Sequence, residues 1–229
     1  MQKLLLLHGA IGARDQLQPL FESLKNDYEV HSINFSGHGG EPMPNCFSIE
    51  LFANDVLNYL DKNNIQKVNI FGYSMGGYVA LYLAKYYPNK IEKVFTLATK
   101  FEWSPDISQK EIRMLDANKI EEKIPAFALI LEKRHQPNNW KVLLKKTSDM
   151  MVALGNKNCL TLQDLTSITI PTKIGVGDND NMVTLGETKQ VAQNLKNSEL
   201  LILQDTLHPI EKVDIIELSN EIKIFFITN

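Results

Sequence analysis

The chain has 229 residues, of which 44% are hydrophobic and 22% charged, and its formal net charge is −3. This length predicts one domain, or one domain with a sizeable insertion, that can bury a full core. The slightly acidic balance argues against a nucleic-acid or membrane partner, and the apolar runs are too short to span a bilayer.

The few sequence features that could report on location or redox state are weak. The leucines at 4–7 end in His8-Gly9, with neither the length nor the cleavage site of a signal peptide, so they predict a buried strand. Cys46 and Cys159 are isolated and far apart, which indicates neither a disulfide framework nor a zinc site. We therefore expect a cytoplasmic protein; the sequence gives no indication of oligomeric state.

Short apolar runs alternate with segments of helical spacing over the first hundred residues. Strands are predicted at 3–7, 28–35, 68–71 and 91–97. Helices are predicted at 12–25, 48–63 and 75–86, the second with Ser48 as its N-cap.

The alternation breaks after residue 100 and then returns. Helical patterns occupy 108–118, 121–133 and 139–154 without a strand, whereas strands at 172–176 and 199–203 alternate with helices at 185–195 and 209–226. Alternating strands and helices predict a doubly wound, mostly parallel sheet. Residues 1–100 and 166–229 then form the core, and 101–165 form a helical cap inserted after the fourth strand, over the carboxyl ends of the strands.

A G-x-S-x-G pattern at 72–76 lies between the third strand and its helix. A strand, a sharp turn and a helix are the context of a nucleophile elbow, which presents Ser74 clear of the sheet. A phosphate-binding loop is a poorer interpretation, because no Gly-Lys-[Ser/Thr] follows.

A serine nucleophile needs a histidine base, and the base needs an orienting acid. Of the histidines that follow Ser74, only His208 stands at a strand end; His135 lies in the cap. The residues alone leave the acid open between Asp178, Asp180 and Asp205, with Glu102 less favoured. For the oxyanion hole we expect the backbone N–H of Met75 and a second from the loop after the first strand, with Ala10 as the donor.

Together these pieces resemble the α/β-hydrolase superfamily over the whole chain: Leu7-His8-Gly9, Gly37-His38-Gly39, the elbow, residues 177–183 and His208. In that family the acid belongs to a G-x-x-D-x-x-V pattern, which here selects Asp180 over Asp178. The resemblance implies a six-stranded, all-parallel sheet, because the chain begins at what looks like the family's third strand, without the usual N-terminal hairpin. It also implies that no metal or organic cofactor is needed.

The predicted reaction is hydrolysis of an ester-like acyl bond in a small, partly apolar substrate through an acyl-enzyme, with Ser74, His208 and Asp180 as the triad. We expect Ile11, Tyr73, Trp103 and Trp140 to contact the substrate. The elbow also resembles menaquinone-pathway lyases, which commonly carry Arg where this chain has Tyr78. There are three alternatives: such a lyase, a C–C bond hydrolase with the same triad, or a non-catalytic ligand-binding member of the superfamily.

Overall fold

A computed structural model describes residues 1–227. Six parallel strands form one sheet: β1 (Lys3–Leu7), β2 (Glu29–Ser32), β3 (Val68–Tyr73), β4 (Ile91–Leu97), β5 (Thr172–Gly177) and β6 (Ser198–Leu203). The predicted six-stranded parallel sheet is confirmed. Of the strands, β1, β3 and β5 are buried almost throughout, as expected for strands covered on both faces.

The helices connect these strands and cover the sheet. Those of the core are α1 (Gln18–Leu24), α2 (Ile49–Lys62), α3 (Met75–Tyr86), α9 (Leu185–Asn194) and α10 (Ile215–Ile227). Between β4 and β5 lie α4 (Pro105–Glu111), α5 (Ala117–Lys123), α6 (Pro125–His135), α7 (Trp140–Asn156) and α8 (Leu162–Leu165). No helix within residues 1–227 has the length and apolar character that crossing a bilayer requires.

The order of the strands determines where a ligand can bind. Across the sheet the order is β2-β1-β3-β4-β5-β6, so the chain leaves β1 in one direction towards β2 and returns to its other side at β3. In open α/β sheets such a reversal opens a crevice at the carboxyl ends of the two strands. Here those ends lead into His8-Gly9-Ala10 and into Ser74.

Several element boundaries differ from the predicted ones, and local capping explains most of the differences. In the cap, Ser104 Oγ accepts a hydrogen bond from Ile107 N at 3.2 Å, so α4 begins at Pro105 rather than at 108. The Asp116 side chain caps α5, and Pro125, which fits the first turn of a helix, begins α6. Residues 108–118 and 121–133 are therefore not the helical units that periodicity alone predicted.

The core shows further differences. The helix predicted over 12–25 begins only at Gln18, after a 3₁₀ turn over Arg14–Leu17. The strand predicted over 28–35 is limited to Glu29–Ser32, because β2 is an edge strand whose pairing with β1 spans only four residues. The helix predicted from 209 begins at Ile215, where Asp214 Oδ1 accepts hydrogen bonds from Ile216 N at 2.8 Å and Glu217 N at 3.1 Å. Short 3₁₀ turns precede both α1 and α10.

Candidate active site

Ser74 occupies the sharp turn between β3 and α3. Its φ of 51° and ψ of −117° are unusual for a residue other than glycine. The turn is so tight that a Cβ on Gly72 would lie 2.4 Å from the Gly76 carbonyl oxygen, and one on Gly76 would lie 2.3 Å from that of Leu7. Small residues are therefore required on both sides of the serine.

Hydrogen bonds from β4 and the loop after it hold this strained turn. Ser74 N donates to Leu97 O at 2.8 Å, and Thr99 Oγ1 donates to Ser74 O at 3.0 Å. The backbone of Ser74 is thus fixed on both its amide and its carbonyl side, which is how a protein maintains an unfavourable backbone conformation.

His208 and Asp180 meet at the carboxyl ends of β5 and β6. His208 Nδ1 lies 2.8 Å from Asp180 Oδ2. The other carboxylate oxygen, Oδ1, accepts hydrogen bonds from Met182 N and Val183 N, both at 2.8 Å. The Asp180 side chain is fully buried, and that of His208 is 10% exposed. One oxygen fixes the carboxylate to its own loop while the other orients the imidazole.

The other candidate acids make different contacts. Asp178 is exposed, and its Oδ1 accepts a hydrogen bond from Thr206 N at 3.3 Å, which links the two loops. Asp205 is exposed with a φ of 51°, and Glu102 is exposed as well. The structure brings Asp180, and none of these three, into contact with the His208 imidazole.

Tyr73 connects the elbow to the loop that carries the histidine. Its hydroxyl donates to the His208 carbonyl oxygen at 3.0 Å, and the two ring centroids are 5.7 Å apart. Burial raises the pKa of the Tyr73 hydroxyl, which keeps it protonated and able to donate. Tyr73 was expected to contact substrate, and the structure also gives it this positioning contact.

The loop after β1 lies next to the elbow. Gly12 N donates to Gly9 O at 3.2 Å, which closes a turn in which Ile11 has a φ of 55°, rare for a β-branched residue. Ala10 and Met75 line one cavity together with Ser74. Met75 opens α3, and the first N–H groups of a helix have no acceptor within it.

His135, at the end of α6, ties the cap to this loop. Its Nδ1 accepts from Gly39 N at 3.1 Å, so its Nε2 carries the proton and donates to Ile11 O at 2.9 Å. Burial lowers the pKa of His135 and favours this neutral form. His135, whose position in the sequence did not favour it as the base, thus links the helical segment between β4 and β5 to the loops that carry Ile11 and Gly39.

Two cavities meet at Ser74 and Ala10. The His208 cavity, of about 230 Å³, is bordered by Ser74, Tyr73, His208, Ile11 and other residues. The inner cavity, of about 50 Å³, extends from Ser74 towards the cap and is mostly apolar. A substrate carbonyl at Ser74 would therefore have one substituent in each cavity.

A charged cluster borders the inner cavity. Lys100 Nζ donates to Met182 O at 2.9 Å and lies 3.8 Å from Glu111 Oε1 and 3.6 Å from Glu187 Oε2. Lys100 and Glu111 both line the cavity, as does Trp103, whose indole N–H has no hydrogen-bond partner among residues 1–227. With two carboxylates, Glu111 and Glu187, and one ammonium group, Lys100, the formal charge of the cluster is negative.

Of the four predicted substrate contacts, three border these cavities and one does not. Ile11 and Tyr73 line the His208 cavity, and Trp103 lines the inner one. Trp140 instead packs in an apolar cluster of the cap with Ile120 and Leu131, because its place at the start of α7 directs it towards α5 and α6. In the described part of the chain, no group of three histidine, cysteine or acidic side chains is arranged to hold a metal ion.

The fold and the motifs define an α/β hydrolase, and the comparisons agree. A family model described as the alpha/beta hydrolase fold matches residues 3–117, and the chain belongs to that family. An enol-lactonase from Burkholderia xenovorans LB400 has a similar structure, with a TM-score of 0.79 over 99% of this chain and 92% of that one. At 19% identity this likeness supports the fold alone.

Two of the curated relatives carry the names of hydrolases. The chain is 29% identical over 94 residues to "Esterase YbfF" of Escherichia coli (strain K12), a match that covers 41% of this chain and 37% of that protein. It is 26% identical over 199 residues to "3-oxoadipate enol-lactonase 1" of Acinetobacter baylyi, which covers 81% of this chain and 74% of the relative. The match thus spans little more than a third of the first relative and most of the second, and both names agree with the predicted class of hydrolases acting on ester bonds.

Proposed function

We propose that this protein is a serine hydrolase that cleaves the ester bond of a small, partly apolar substrate. The observation that carries the proposal is the 2.8 Å contact between His208 Nδ1 and Asp180 Oδ2, beside a serine held in the strained conformation of an elbow. Ser74 is the nucleophile, His208 the base and Asp180 the orienting acid. The names of the esterase and lactonase relatives support the same reaction class.

The geometry supports acyl transfer in two steps. Because Nδ1 of His208 faces Asp180, its Nε2 is left to take the proton as Ser74 Oγ attacks the carbonyl carbon. The N–H groups of Ala10 and Met75 stabilise the oxyanion. His208 then gives the proton to the leaving alcohol, and the acyl group remains on Ser74. A water molecule, deprotonated by His208, attacks this acyl-enzyme and releases the acid.

The two cavities support a proposed place for each part of the ester. The leaving alcohol takes its proton from His208, so it occupies the His208 cavity, of about 230 Å³. The acyl group occupies the inner cavity, of about 50 Å³, which is far below the 300–1,000 Å³ or so of a drug-sized ligand site. We therefore propose short acyl groups on larger alcohols, with residues 101–165 acting as the cap that closes the acyl side.

Electrostatics disfavour the lyase alternative. Tyr78, at the position where those lyases carry Arg, is buried, and its hydroxyl is bonded to Asn158 and accepts from Leu160 N at 3.0 Å. Lys100 is the cation that lines the inner cavity, and Glu111 and Glu187 face it. A multiply anionic acid would meet net negative charge on this side of Ser74.

Hydrolysis of p-nitrophenyl acetate by the wild type and by Ser74→Ala tests the proposal. We expect the substitution to lower kcat by at least about 10³-fold, because the nucleophile is lost while the oxyanion donors remain. Ser148→Ala, which removes a hydroxyl that bonds to Leu144 O on α7, is the matched control and should keep its activity. Equal turnover by Ser74→Ala and wild type would refute the assignment, and a wild type inert to every ester tested would favour the non-catalytic alternative.

A further inference from the structure

A second, larger cavity lies directly behind the inner one. This outer cavity, of about 520 Å³, opens on the surface between α2, α3 and α7. Three residues line both it and the inner cavity: Ile49, Met150 and Leu154. Among residues 1–227 no other residue borders both cavities, so these three side chains separate the two spaces, and we call them the septum.

The septum is built from residues of two helices, α2 and α7. Ile49 is the first residue of α2, and Met150 and Leu154 stand four residues apart on α7, on the same helical face. All three are buried, with exposures of 1%, 4% and 5%, and belong to one apolar cluster. Their side chains have no polar atom apart from the methionine sulfur, so the volume of these side chains is what separates the two cavities.

The outer cavity would accept an extended apolar chain. Phe47 and Tyr82 contribute apolar surface to its lining. Lys85 and Asp164, which also line it, pair with each other at 2.7 Å. Two cations, Lys85 and Lys157, and two anions, Glu50 and Asp164, line this cavity. Because their formal charges cancel, a neutral, flexible chain fits better than an ionic ligand.

We propose that the septum sets the longest acyl group the enzyme accepts, and that trimming it joins the two cavities into one acyl-binding tunnel. This inference rests on the proposed ester hydrolysis at Ser74. With the septum intact, the acyl chain ends inside the inner cavity after a few carbons. With it trimmed, a saturated chain of six to eight carbons, in round numbers, continues into the outer cavity, and each newly buried methylene raises kcat/KM about fourfold.

The acyl-length profile tests this inference. We compare kcat/KM for p-nitrophenyl acetate, butyrate, hexanoate and octanoate in the wild type, Met150→Ala and Leu154→Ala. The wild type should favour acetate or butyrate, and both variants should raise the octanoate-to-acetate ratio at least about tenfold. Met150→Val and Leu154→Val, which remove fewer atoms, serve if an alanine variant does not fold.

Met151 provides the matched control, because it lines the inner cavity but not the outer one. Met151→Ala enlarges the inner cavity without opening the septum, so its octanoate-to-acetate ratio should rise far less than that of Met150→Ala. Equal ratios in the two methionine variants, or an unchanged profile in both septum variants, would overturn the inference.

A binding measurement separates this inference from the proposed reaction. Calorimetric titration of octanoate into Ser74→Ala and into Ser74→Ala/Leu154→Ala needs no turnover. At least about tenfold tighter binding by the double variant supports the septum, even if the wild type hydrolyses no ester. Equal binding by both proteins contradicts it, even if Ser74 proves to be the nucleophile.

Discussion

Asp178 and Asp180 stand two residues apart on the loop after β5, yet their carboxylates have different surroundings. Asp178 is exposed and accepts from Thr206 N, whereas Asp180 is buried against its own loop and contacts His208. An Asn at 178 keeps the acceptor oxygen for Thr206. An Asn at 180 presents an amide that cannot stabilise the imidazolium, and it can favour the wrong tautomer of the histidine.

The two positions should therefore respond differently to the same substitution. We expect Asp180→Asn to lower kcat for p-nitrophenyl acetate by about 10³–10⁴-fold, and Asp178→Asn to change it by less than about threefold because that contact is an exposed one. Thermal unfolding of both variants shows whether each remains folded. The assignment of the acid would be wrong if Asp178→Asn were the inactive protein.

At the scale of elements, helix α6 reaches the active site through its last residue. His135 bonds to Ile11 O and Gly39 N, and its side chain is buried between the two loops. Ile11 follows Ala10, the proposed oxyanion donor, and is itself strained at a φ of 55°. The hydrogen bond to its carbonyl therefore fixes the turn in which the Ala10 N–H is presented.

Replacing His135 should affect turnover as well as stability. His135→Phe removes the partner of two half-buried backbone groups, Ile11 O and Gly39 N, at a cost of up to about 1 kcal/mol each. It also frees the turn, so kcat should fall about tenfold or more. His135→Gln, which can both donate and accept, should recover part of this loss. His31→Gln on β2, where the ring bonds to Tyr59, is the control. An unchanged kcat in His135→Phe would show that the link has no influence on the oxyanion turn.

The elements that could be predicted from the sequence are those whose signal is local. The strands β1 and β4 and the helix α3 have the predicted bounds. A continuous apolar run marks β1, the proline turn after α3 precedes β4, and a Gly-rich turn marks the start of α3. The spacing that selects Asp180 is also local, within a single loop. The link made by His135 and the septum escaped prediction because their partners lie about a hundred residues away, and an isolated Met or Leu has no pattern that distinguishes a pocket wall from core packing.

At the scale of the whole molecule, three buried histidines join the end of β1, the loop before α2 and the cap. The rings of His8 and His38 are 5.2 Å apart, and those of His38 and His135 are 5.8 Å apart. Burial lowers the pKa of His8 to about 4 and that of His38 well below its ordinary value. Burial therefore favours the neutral form of all three histidines in the folded chain.

Stability should consequently fall in mild acid. A histidine whose pKa is lowered in the folded state does not change the free energy of unfolding at pH values above its unfolded pKa of about 6.5. As the pH falls from there towards the folded pKa, it lowers the free energy of unfolding. For His8 alone the free energy of unfolding should decrease by about 2 kcal/mol between pH 7 and pH 5. Urea titrations at the two pH values measure this loss.

The variant His8→Asn serves as the reference for this pH effect, since asparagine does not titrate. The difference in the free energy of unfolding between wild type and variant should narrow by about 2 kcal/mol from pH 7 to pH 5, and other titrating groups largely cancel in that difference. A constant difference across this range would contradict the proposed origin of the acid sensitivity.

The unequal cavities on the two sides of Ser74 also bear on chirality. The inner cavity, proposed to hold the acyl group, offers about 50 Å³, and the His208 cavity, proposed to hold the alcohol, offers about 230 Å³. A stereocentre next to the carbonyl must fit its substituents into the narrower cavity, where one enantiomer clashes with the lining side chains. A stereocentre in the alcohol lies in the wider cavity, where either enantiomer can rotate to fit. We therefore expect high enantioselectivity in the hydrolysis of esters of racemic 2-substituted acids and low enantioselectivity for esters of racemic alcohols. The septum side chains would set the preference for one enantiomer of the acid.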